Sequence, residues 1–397
     1  MNELFHERVS IFKDATRQTK PKRIPLLSNV WSWKIIDSPY KMTEALMDYN
    51  KLAKTVFDFH EKYNFDGYLE MTDRNPIQVT YPMGQQDYVI RDEDNSINTP
   101  DHAMMMKDDE YDALSENMLK FVWEKALPRK FYGFAEADAL ERLRTSGKEF
   151  LKFQAYANKM ITTFQNDYHV PMLSPTGDFI QGGSPLPGEM TSMLSVFFRG
   201  ILGFSVDMRR HPDKIIALNE HNFQTIVKPQ LEAIRTGTSG SCPTALFDYC
   251  TGTIHQNSMS VKQFEKFFWP YFKPVMDVMC EKDKLVYIFI EGDIGRFSEF
   301  YQDIPKGHLV LNLENDDIFE MKKKLPNITF AGGMPCELLY SGTKQQCIDY
   351  AKKLIDEVGY DGSYIFSQNR MVSFKNDCNA ENLLAVNNFV REYGVMK

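Results

Sequence analysis

LVYIFIEGD, residues 285–293, is the stretch on which the fold reading turns. Leu285 and the run Val286 to Ile290 are all apolar or aromatic, the pattern of a strand buried on both faces. The run ends in Glu291, Gly292 and Asp293. A buried strand that stops at two carboxylates and a glycine needs an explanation. Asp293, just ahead of IGRFSEFY, is placed to cap the next helix; Gly292 gives the turn room; Glu291 is not placed as a cap and is read as a site residue.

The same pattern recurs on both sides. HLVLNL (308–313), NITFAGG (327–333) and GSYIFS (362–367) read as further buried strands. Helix-like stretches lie between them, such as TKQQCIDYAKKLIDEVG (343–359), where Cys347, Ala351, Leu354 and Val358 recur at spacings of three or four and Gly359 suits a C-cap. The first half follows more loosely. RIPLLSNV (23–30), DGYLEMTD (66–73), VPMLSPTGDF (170–179) and TALFDYCT (244–251) are strand candidates, with helices expected over Thr43–Tyr63, Ala135–Asn166 and His211–Ile234. About eight strands alternating with helices predict an α/β fold, a (β/α)8 TIM-type barrel forming a single domain over 1–397. The segment of about 84–130, with DEDNSINTPDHAMMMKDDEYD, does not alternate and reads as an inserted lid over the barrel mouth.

Composition bounds the function. The 397 residues are 43% hydrophobic and 25% charged with a net charge of −8, which disfavours nucleic acid as a partner. No apolar run reaches the ~20 residues that span a bilayer, and the charged N-terminus has no signal core, so a cytoplasmic protein without a membrane partner is expected. Six cysteines without a CxxC pair suit reduced thiols. No GxGxxG, Walker A or HExxH motif is present.

A parallel barrel keeps its chemistry at the C-terminal ends of its strands. The candidates there are Asn29 and Trp31, then Asp73 beside Glu70, Asp178, Asp248, Glu291, Glu314, Met334 with Cys336, and Asn369 beside Gln368. Glu291, Asp73 and Asp178 are the catalytic candidates; Asn29, Trp31, Asp248, Asn369 and Met334 are candidates for substrate contact. Carboxylates at strand ends also serve as helix N-caps, which suits Asp316–Asp317 before IFEMKKK. His255, in a loop after Asp248, could reach the rim. Burial as a small core residue is the plainer reading of Cys336.

These residues resemble the uroporphyrinogen decarboxylase superfamily, which also holds corrinoid-dependent methyltransferases. FDGYLEMTDRNPIQVTYPMG resembles its segment with an Asp followed by a Met-Gly pair. SPTGDFIQGG is similar to its Pro-Phe-Thr…Glu-Gly-Gly segment, IFIEGDIG to the strand ending in Cys-Gly-Asn, and FAGGMPCELLYSGT to its Gly-Asn-Val-Asp-Pro segment. SQNRMVSFKNDCNAENLLAV resembles the closing Glu-Asn-Leu segment. The resemblance implies a distorted (β/α)8 barrel.

The departures direct the functional expectation. True decarboxylases of the family carry arginines after the first strand to bind a polyanionic porphyrinogen, and here PLLSNVWSWK has none. The family tyrosine aligned with Asp178 and the histidine near Gln368–Asn369 are missing, and only Asp73 matches a decarboxylase catalytic position. The thiol-methylating branch holds zinc by His-x-Cys and a late Cys; this chain has Phe289 and Glu291 at the pair and Gln368 or Asn369 at the third position. An altered zinc site from Glu291, Glu314 and Cys336, or His255, is one expectation. The remaining resemblance, to methyltransferases with a Glu-Gly strand end, implies methyl transfer from a small donor, such as a methoxylated aromatic undergoing O-demethylation, to cobalamin. No Asp-x-His-x-x-Gly segment is present to ligate cobalt. The cobalamin is therefore expected on a partner corrinoid protein, and a homodimer is open. A decarboxylase-type lyase on a non-porphyrin substrate and a non-catalytic barrel are the alternatives.

Overall fold

The computed structural model describes residues 2–73, 76–84, 88–98, 105–171, 173, 190–237 and 245–396. Its strands are β1 (Leu27–Ser28), β2 (Gly67–Tyr68), β3 (Val89–Arg91), β4 (Ser96–Asn98), β5 (Tyr249–Thr253), β6 (Val286–Ile290), β7 (Leu309–Leu313), β8 (Thr329–Met334) and β9 (Tyr364–Gln368). β5 to β9 form one parallel sheet in sequence order. β9 continues to β1 through the Leu26–Phe366 bridge, and β1 pairs in parallel with β2. Leu173, whose carbonyl accepts the Phe247 N–H at 3.0 Å, lies beside the chain entering β5. With the β3–β4 hairpin set aside, these are the strand positions of a (β/α)8 barrel.

Alternation along each strand divides two apolar layers. Tyr287 and Phe289 of β6, Val310 of β7, Ala331 of β8 and Ile365 of β9 share an interior cluster with Leu27 and Leu173. Val286, Ile288 and Ile290 face the helices instead, in the larger core cluster. Successive side chains of a strand point to opposite faces, so a strand covered on both sides reads as an unbroken apolar run. Each such side chain fully buried contributes about 1.5–3 kcal/mol. The helix α1 (Glu3–Arg17) adds Ile11, Phe12 and Ala15 to the interior cluster, closing the barrel at the N-terminal ends of its strands.

Local signals set the helix limits. The helix expected over Thr43–Tyr63 is two, Met42–Leu46 and Tyr49–Tyr63, because the Asp48 carboxylate accepts the N–H groups of Asn50 and Lys51 and starts a new helix. Segment 84–130 holds the antiparallel hairpin β3–β4 and helical turns from Tyr111 to Lys130. Ile97, Met106, Tyr111, Leu114 and Phe121 from it are buried in the same core as β6. Among the described residues, no helix is long and apolar enough to cross a membrane.

Candidate active site

The end of β6 is held by its neighbours. The Glu291 N–H extends the ladder to the Thr253 carbonyl at 2.9 Å, and the Glu291 carbonyl accepts the side-chain amides of Gln256 and Asn257, each at 2.8 Å. Two residues beyond Phe289, Glu291 continues the strand face that lines the barrel interior. Gly292 turns with φ +89°, and a Cβ there would fall 2.1 Å from Asn257 Oδ1, so only glycine fits. Its N–H donates to Glu314 Oε2 at 2.5 Å, which brings Glu314 against the β6 tip. The cap expected of Asp293 is supplied by Asp316, whose carboxylate accepts the Ile294 and Gly295 N–H groups at 2.7 and 2.9 Å. Asp293 itself is 46% exposed on its side chain and pairs with Arg296 at 3.4 Å. Asp317 caps Ile318–Lys324 as expected.

Across the barrel, β1 and β2 end in a buried charge cluster. Lys34 Nζ lies 2.6 Å from Glu70 Oε2 and donates to Thr72 Oγ1 at 3.1 Å and to the Val30 carbonyl. Thr72 returns its N–H to Glu70 Oε1 at 2.9 Å, and its hydroxyl donates to the same oxygen. Both charged groups are almost wholly buried, and burial holds Lys34 below the ordinary lysine value against the pull of Glu70. Asp73 lies beside this pair, and among the described residues no cation forms an ion pair with it. Burial raises its pKa to about 7, the Glu70 carboxylate adds in the same sense, and a main-chain N–H and Lys34 oppose. Its Oδ2 is sealed from solvent and has no hydrogen-bond partner among the described residues. Tyr49, the first residue of its helix, stacks on Tyr156 at 5.0 Å, and burial and the nearby Asp73 charge push up both phenols.

The other candidates sort by geometry. Asn29 and Trp31 follow β1: Trp31 Nε1 donates to Asn29 Oδ1 at 3.1 Å, and the Asn29 N–H donates to Gln368 Oε1 at 2.9 Å. Asn369 ties three strand ends together. Its N–H meets the Met334 carbonyl at 2.9 Å, its Nδ2 the Glu314 carbonyl at 3.3 Å, and its Oδ1 accepts the Cys336 N–H at 3.1 Å. Met334, facing Gln368 across the β8–β9 ladder, is wholly buried.

Asp248 is a correction. It precedes β5 rather than ending it, and at the N-terminal end of the barrel it pairs with Lys284 at 3.0 Å and accepts the Leu285 N–H at 2.9 Å. The zinc set is another. Among the described residues no three His, Cys, Asp or Glu side chains gather to hold a metal, so Glu291, Glu314, Cys336 and His255 do not converge. Burial pushes the Cys336 thiol up to about 12 and the His255 imidazole down to about 3; the latter packs on Phe268 at 4.3 Å with Ser192 Oγ 2.9 Å from Nδ1. Asp178 lies outside the described residues.

Comparison with known proteins closes the question of ancestry. The family described as Uroporphyrinogen decarboxylase (URO-D) matches residues 189–393, just over half of the chain. The chain belongs to this family. Among solved structures, a methyltransferase from Methanosarcina mazei superposes with a TM-score of 0.51 at 13% identity, covering 97% of this chain and 98% of the other. No curated protein sequence matches.

The only cation in PLLSNVWSWK is Lys34, and Glu70 engages it. Sequence reasoning had no role for Lys34 or Tyr49. A lysine in the first turn after a buried strand was the available signal for the former; nothing local marks the latter.

Proposed function

We propose that the protein is an enzyme, a methyltransferase that takes a methyl group from a small uncharged donor, of which a methoxylated aromatic is the type, and passes it to a corrinoid on a partner protein. The observation that carries the reading is Asp73: a carboxyl raised to about 7, its Oδ2 without a hydrogen-bond partner among the described residues, beside a lysine that Glu70 already engages. A polyanionic porphyrinogen would meet the carboxylates Glu291, Glu314 and Asp73, and PLLSNVWSWK brings no arginine to offset them, which disfavours decarboxylation of that substrate. An ether donor instead needs a proton. As the carbon–oxygen bond breaks, its electron pair goes to oxygen, and protonated Asp73 can supply the proton. The corrinoid would supply the nucleophile that accepts the methyl group. The fold's other implied metal, zinc, does not fit the described residues, and no step is routed through it.

The test is methyl transfer from 2-methoxyphenol to free cob(I)alamin, followed by the absorbance change on methylation. Wild type is expected to form methylcobalamin, and Asp73→Asn to do so about 100- to 10,000-fold more slowly. No transfer from any methoxylated or methylated donor would overturn the reading.

A further inference from the structure

Beneath the rim carboxylates the barrel interior is not uniformly apolar. Asn312 stands next to the last residue of β7, in register with Phe289 of β6 and Ala331 of β8, both of the interior cluster. It is 0% exposed, and neither Oδ1 nor Nδ2 has a hydrogen-bond partner among the described residues. Two more interior-facing groups share this condition. Ser367 follows Ile365 by two residues on β9, and Asn29 follows Leu27 by two, just past β1. Both are 0% exposed, and the Ser367 hydroxyl and Asn29 Nδ2 have no partner among the described residues. Between them β8 carries Gly332 at φ +96°, where a Cβ would stand 2.3 Å from Asn312 Oδ1. Gly252 of β5, paired with Phe289, is exposed.

An unpartnered buried amide or hydroxyl costs about 1–3 kcal/mol, so a chain that keeps three in one barrel is spending stability on something they meet. All three are neutral, and together they offer both donors and acceptors. We infer that Asn312, Ser367 and Asn29 form the specificity floor of the site and bind an uncharged hydroxyl or carboxamide on the methyl donor. An acid or ammonium there would be buried without a counter-charge. The inference rests on the proposed function for what the ligand is and deepens it: the donor carries a second, neutral polar group besides the one that is demethylated.

Calorimetric titration with 2-methoxyphenol and with methoxybenzene, which lacks the hydroxyl, tests it. Wild type is expected to bind the phenol at least ~10-fold more tightly, the equivalent of one buried hydrogen bond. Asn312→Leu, close to isosteric, should bring the two affinities together without weakening methoxybenzene. Should that variant not fold, Ser367→Ala removes a single oxygen and must reduce the preference. Equal binding by wild type, binding of neither probe, or a preference that survives both substitutions overturns the inference, the last because these groups would then serve internal water. Selective binding without methyl transfer to cob(I)alamin leaves the floor standing and defeats the proposed function. Transfer without selectivity does the reverse.

Discussion

A carboxyl that titrates near neutrality can give up a proton and take it back within one turnover, and Asp73 is held there by burial and by Glu70. Its pKa is raised, so the native state binds the proton more tightly than the unfolded chain. The associated stability is present in full below the unfolded value near ~4 and is lost as pH rises through about 7. Methyl transfer should therefore fall above pH 7 with a slope of one proton, and Asp73→Asn should abolish that limb while gaining stability relative to wild type at alkaline pH. A pH profile of single-turnover transfer and a thermal melt series check both; an unchanged limb in the variant would assign the proton elsewhere. Glu70→Gln removes the adjacent negative charge and should move the limb to lower pH. The sequence made Asp73 and Glu291 visible because both sit at the ends of apolar runs. It misplaced Asp248 because the strand there begins at Tyr249, and a carboxylate just before a strand and one just after it look alike when the boundary is uncertain by a few residues.

At the scale of elements, β1 and β2 are only two residues long in regular pairing, and the Lys34–Glu70 pair holds their ends together. Taking one partner from a buried ion pair leaves the other charged and unsolvated, which costs about 3–5 kcal/mol. Lys34→Met should destabilise by that order, and the double variant Lys34→Met with Glu70→Leu should recover most of it. Chemical denaturation of the three proteins measures the coupling; additive losses would show that the pair is not the link. Gly332→Ala makes the same kind of claim for β8: the added methyl meets Asn312 Oδ1 and the left-handed backbone together, and a loss of about 1–3 kcal/mol is expected. The long apolar strands β6 to β9 were readable because burial on both faces erases alternation. β3 and β4, three residues each inside a polar insertion, left no such trace.

For the whole molecule, the barrel is clasped at the end opposite the candidate site. Asp66, 0% exposed, accepts a two-pronged bond from Arg23 at 2.6 and 2.9 Å and the Leu26 N–H at 3.0 Å. Arg8 of α1 lies 3.5 Å away, and Arg391 of the helix Ala380–Tyr393 lies 3.6 Å away. One carboxylate thus ties the first helix, the entries to β1 and β2, and the last helix. No sequence period encodes this, because the partners lie 43, 58 and 325 residues from Asp66. Burial alone would raise the Asp66 pKa, but the Arg23 bond and the charges of all three arginines outweigh it and hold it below the usual carboxylate range. A depressed pKa stabilises above the unfolded value near ~4 and ceases to do so as pH falls through the folded value. Asp66→Asn leaves the arginines without their counter-charge and should cost about 3–5 kcal/mol at pH 7. Thermal melts should show the gap between variant and wild type wide at neutral pH and narrowing in strong acid, where the wild-type carboxylate is protonated as well. Because the clasp faces away from the rim, the folded variant should keep its donor affinity. A gap that does not change with pH would mean that Asp66 acts by shape rather than by charge.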